Sequence, residues 1–104
     1  MNFKKDIEQK LKIDYGDSSE EVKEIWNNAV SKTEYIRGDR ILRCIIYLAK
    51  GDVEHFKHYI NVAIGDPRDV MLFAEYENLK EGETPKRIRN FNLTFENSAK
   101  NGKE

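Results

Sequence analysis

Apolar residues fall three or four positions apart through most of this chain, and the pattern breaks at a recurring dipeptide. Gly-Asp occurs at residues 16–17, 38–39, 51–52 and 65–66. Glycine accepts the left-handed backbone that closes a helix, and aspartate accepts hydrogen bonds from the free N–H groups that open the next one. The four pairs therefore read as stop-and-start signals that divide the chain into five helical segments with very short connections. They are punctuation and not a repeat, because the segments share no other pattern.

The first segment, about residues 2–14, sets Phe3, Ile7 and Leu11 four apart, as a weakly amphipathic helix does. The second opens at Ser18-Ser19-Glu20-Glu21, where Ser18 and Glu21 have the spacing of a capping box. Val22, Ile25, Trp26, Ala29 and Val30 follow at helical spacing. Thr33 and Ile36 keep the phase, so the helix is expected to run nearly to Gly38. In the third segment, Asp39 to Lys50, a turn of roughly 100° per residue spreads Ile41, Leu42, Cys44, Ile45, Ile46, Leu48 and Ala49 over more than half the cylinder. Only a stripe of Arg40, Arg43, Tyr47 and Lys50 is left for water, so this helix should be flanked on two or three sides.

Asp52 is placed to cap the fourth segment, with Val53, Phe56, Ile60, Ala63 and Ile64 on one face and His55, His58 and Val62 on the other. Asp66-Pro67-Arg68-Asp69 is the clearest helix start: a cap, a proline at the first helical position and an acid in the first turn. Val70, Leu72, Phe73, Ala74 and Tyr76 follow. Beyond Asn78, residues 80–85 have the composition of a loop. Phe91, Leu93 and Phe95 then alternate with polar residues at a period of two. The pattern predicts an all-α, antiparallel bundle of four to five short helices around residues 39–50, with an extended C-terminal tail packed on it. Residues 1–97 should form a single helical domain and residues 98–104 a frayed tail.

The 104 residues suit one domain. With 38% hydrophobic and 36% charged residues, the chain is folded and heavily solvated, not disordered. Its formal net charge of −1 lacks the basic excess of a general nucleic-acid binder. The distribution is uneven: residues 51–85 carry three basic and eight acidic side chains, while residues 35–50 and 86–104 carry four and one, and five and two. The basic tail is thus expected to lie against the acidic middle, unless both are solvated. One cysteine rules out an internal disulfide. The start of the chain lacks a secretory h-region and no apolar run approaches the length of a membrane span. A cytoplasmic protein is expected, in which the sequon Asn92-Leu93-Thr94 is idle.

Candidate chemistry is sparse. His55 and His58, three apart on one helix, are weak candidates for a metal, with Asp52 or Glu54 nearby; a tight site needs three or four converging ligands, so no metal and no cofactor is assigned. Cys44 sits on the apolar arc, where a thiol behaves as a small hydrophobe. No phosphate-binding loop, paired Cys-x-x-Cys or nucleophile elbow occurs. The stripe Arg40, Arg43, Tyr47 and Lys50, extended by Arg68 and Lys86-Arg87-Arg89, could grip phosphate or an acidic partner, or could seat acids of the same chain such as Glu75 and Glu77. The third and fourth segments superficially resemble a helix-turn-helix, but Phe56, Tyr59 and Ile60 leave no polar reading face, and an αα-hairpin fits better. Arg37-Gly38-Asp39 spells an integrin-recognition tripeptide by coincidence at a helix boundary. Among 19 acids, close carboxylate pairs arise by chance and mark no acid–base site.

The leading functional expectation is a non-catalytic protein–protein interaction module of unknown partner, one that could form a homodimer. A chain this short has little core volume for so many apolar residues. Candidate contact residues are Arg40, Arg43, Tyr47, Lys50, Tyr59, Val62, Phe91 and Phe95. The alternatives are a nucleic-acid-associated protein using the Arg40/Arg43/Tyr47/Lys50 stripe, and a small metal-binding protein or enzyme centred on His55 and His58. No catalytic residue is singled out.

Overall fold

A computed structural model describes residues 3–33 and 36–102. The chain forms α1 (Lys5–Tyr15), a 3-10 turn (Gly16–Ser18), α2 (Ser19–Lys32), α3 (Asp39–Ala49), α4 (Val53–Gly65), α5 (Pro67–Glu75), two short strands, β1 (Tyr76–Glu77) and β2 (Lys86–Arg87), and α6 (Phe95–Gly102). The fold is an all-α bundle with the C-terminal segment packed across it.

Its centre is α3. Ile41, Leu42, Cys44, Ile45, Ile46 and Ala49 are all buried, and α4 and α5 flank the helix. From α1 come Ile7, Leu11 and Tyr15, from α2 Val22, Trp26 and Ala29, and from α4 Phe56, Ile60 and Ala63. Tyr15 meets Phe56 edge-on at 6.0 Å between ring centres. This period of three to four is why the segments are helices: each places one apolar line in the shared core.

The Gly-Asp pairs all lie at helix boundaries, but they work in different ways. The expected division of labour holds at Gly51-Asp52. Lys50 (φ 52°) and Gly51 (φ 81°) turn left-handed, and the Asp52 carboxylate accepts from the His55 N–H at 3.0 Å. At 65–66, Gly65 is the last residue of α4, and Asp66 follows α4 while its side chain caps α5 through the Arg68 N–H. At 38–39, Gly38 (φ 109°) is itself the N-cap and Asp39 is the first helical residue. At 16–17, Gly16 (φ 52°) closes α1 and Asp17 lies in the 3-10 turn.

Several expectations need correcting. Ser18 makes no capping bond, because the 3-10 turn leads directly into α2. That helix stops at Lys32; Thr33 is extended (φ −149°, ψ 144°), and residues 34 and 35 lie outside the described residues. Arg43, assigned to the solvent stripe, is 6% exposed. Of the apolar residues named in the fourth and fifth segments, Ile64, Leu72 and Phe73 are exposed, and α5 buries Val70, Ala74 and Glu75. The tail is not extended throughout. Residues 86–87 pair antiparallel with 76–77, and Phe95 starts a helix that includes the buried Ser98, where fraying is expected. Asn2 at the head of the first segment, and Lys103 and Glu104 of the tail, lie outside the described residues.

Candidate functional site

Arg40 and Arg43 of the expected stripe are held by two carboxylates. Glu75, at the end of α5, is fully buried. Its carboxylate accepts from both Nε (3.1 Å) and Nη2 of Arg40 on α3, from Arg87 Nη2 on β2 at 3.2 Å, and from the Phe91 N–H at 2.8 Å. Its backbone carbonyl accepts from the Ile88 and Arg89 N–H groups at 2.7 and 3.1 Å. A buried carboxylate is tolerable only with such a set of donors. The acidic middle and basic tail do lie against each other here.

The second carboxylate is Asp6 on α1. Arg43 donates to it through Nε (2.9 Å) and Nη2 (3.0 Å), a forked pair, and sends Nη1 to the Phe91 carbonyl at 3.2 Å. Asp6 also accepts from the Phe95 N–H at 3.1 Å, so it supplies an acceptor to the first turn of α6 from the far end of the chain. Burial pushes its carboxyl up, but Arg43 and the Phe95 N–H outweigh that and hold it below its ordinary value of 3.8.

Each candidate contact residue can now be placed. Arg40 and Arg43 are bonded as above. Tyr47 is half-buried, 5.4 Å from the Phe91 ring, with the Arg89 guanidinium 4.4 Å over its face. Lys50 is exposed at the end of α3. Tyr59 and Val62 are partly buried against the core. Phe91 is 1% exposed, and Phe95 packs on it at 5.6 Å. Phe91 and Phe95, with Arg40, Arg43 and Tyr47, thus gather around the seat of the C-terminal segment; Lys50, Tyr59 and Val62 do not join them.

His55 and His58 are both exposed, and His58 stacks edge-on against Tyr59 at 5.0 Å. Among the described residues, no three of His, Cys, Asp and Glu gather as metal ligands. Cys44 is fully buried; burial, and then the nearby Glu75, push its thiol up to about 12, far from a nucleophilic thiolate. No helix among the described residues is long and apolar enough to cross a membrane.

Among the surface features the fold leaves open, beside the isolated exposed Ile13 and Leu79, two bear on contact with a partner. On α5, Leu72 (38%) and Phe73 (48%) are exposed, and Asp69, three and four positions before them, shares their face. Between α2 and α4 lies a groove of about 300 Å³, lined by Ile25, Ala29, Ile60 and Ile64, with Asn28, Asn61, Lys32 and Lys57 completing it. No acid lines it. The α5 face was legible in outline: at 100° per residue Leu72 falls opposite Val70 and Ala74, so one line of α5 had to face outward. Comparison with protein-family models, curated proteins and solved structures yields no match.

Proposed function

We propose that the protein is a non-catalytic protein–protein interaction module working through the exposed apolar face of α5. One observation carries this reading: Phe73 stands about half exposed beside Leu72 and Asp69 on a helix whose opposite line is well buried. Single exposed apolar residues are ordinary, but an adjacent Leu-Phe pair is an apolar centre, and Asp69 beside it is suited to the polar rim of a contact surface. The guanidiniums of Arg40, Arg43 and Arg87 are engaged by Glu75 and Asp6, which weighs against a phosphate-gripping role. A lone buried cysteine suits the cytoplasm, and we place the protein there.

The test is a photo-cross-linking phenylalanine analogue at position 73, with position 17, also exposed, as control. The proposal expects a discrete protein adduct at 73 that is absent at 17, identified by mass as foreign or as a second copy. Equal and diffuse labelling from both positions would refute it.

A further inference from the structure

Deepening that reading, and resting on it, we infer that the partner surface is a second copy of this chain: the Leu72–Phe73 face of α5 seats in the α2–α4 groove of its mate. Both halves of the contact are present on one chain. The α5 face is apolar and carries Asp69, with the exposed Glu77 just beyond the helix. The groove is apolar at Ile25, Ala29, Ile60 and Ile64, and among the described residues its charged lining is Lys32 and Lys57. Ile64 is 41% exposed, leaving apolar surface uncovered at the groove's end.

The charges are available. Among the described residues Lys57 pairs only with Glu54, whose side chain is 80% exposed, at 3.1 Å; an ion pair this open is weak and is readily exchanged for another acid. Arg68, the cation nearest Asp69 in sequence, is turned to Asp66 at 2.8 Å. A contact in which each copy offers both ridge and groove closes as a two-fold dimer when the two contacts form together.

The experiment is sedimentation equilibrium of the full chain from micromolar to millimolar concentration. Wild type should rise from monomer toward dimer mass, and Phe73→Asp should remain monomeric. Lys57→Glu and Asp69→Lys should each weaken self-association roughly threefold to tenfold, since each replaces attraction at the rim with repulsion. Mixed together, these two variants should recover wild-type association, because each then meets the opposite charge on the other. That recovery cannot come from misfolding of either variant. Wild type that stays monomeric throughout, or a mixture no tighter than its components, overturns the inference. A foreign adduct from position 73 alongside a strict monomer would overturn it and leave the interaction reading standing.

Discussion

Glu75→Gln removes one negative charge while keeping the shape of the side chain. In the folded protein that charge lies between Arg40 and Arg87 and receives the Phe91 N–H. The amide oxygen can still accept from Phe91, but two guanidiniums lose their counter-ion. Stranding a buried charge costs about 3–5 kcal/mol when it stays dry. Here the side chains of Arg40 and Arg87 are 34% and 37% exposed and regain water, which lowers the expected cost to about 2–3 kcal/mol. Each kcal/mol moves the melting temperature of such a domain by roughly 4–8 °C, so a fall of roughly 8–24 °C is expected. Urea denaturation followed by circular dichroism gives the free energy. Hydrogen exchange should place the loss at Ile88, Arg89 and Phe91, whose N–H groups bond to Glu75. The control is Arg68→Ala, whose ion pair is 84% exposed on the arginine side and should leave stability almost unchanged. A Glu75→Gln loss as small as that of the control would refute the buried-anchor reading.

Three further outcomes follow from the same geometry. The folded Asp6 carboxyl is held below 3.8, so it contributes stability that is complete above its unfolded value and fades as pH falls through the folded one. Denaturation at stepped pH below about 4 should show a shallower acid decline for Asp6→Asn than for wild type; Asp52 and Asp66, also held low, are common to both proteins, so parallel declines would contradict the assignment. Cys44 should resist an aromatic disulfide reagent at about pH 8 until the protein unfolds, and rapid labelling of the native state would contradict its burial. Gly51→Ala should cost at least about 1–2 kcal/mol in urea, since φ is 81° and a Cβ would lie 2.8 Å from the Asp14 carbonyl oxygen, whereas Gly65 has open space and no positive φ. Gly65→Ala should gain about 0.4–1 kcal/mol, and equal effects at the two glycines would be inconsistent with these backbones.

The helices were legible because apolar spacing and capping are local. Asp66-Pro67 and Gly51-Asp52 act within a few residues, and the sequence places both boundaries well. The central α3 was equally readable from its apolar arc. Arg43 was not: a guanidinium on the polar line of a helix reads as solvated unless a carboxylate from elsewhere covers it, and Asp6 is 37 positions away. The same blindness hides Glu75, one acid among 19 in the sequence. The tail failed for a related reason. Alternation of Phe91, Leu93 and Phe95 resembles a strand, yet the backbone turns at 91–93, and α6 begins where Asp6 supplies a distant acceptor. The exposure of Leu72 lay within reach, since Val70 and Ala74 lie four apart and define one line of α5 with Leu72 opposite it.

The most direct measurement of self-association through α5 is the melting temperature as a function of protein concentration. A dimer held by Phe73 predicts that wild type melts higher as concentration rises, that Phe73→Asp shows no such rise, and that the two converge at high dilution. A flat wild-type profile, or a Phe73→Asp protein that melts lower even at the greatest dilution, would contradict it, the second because Phe73 would then belong to the fold and not to the contact.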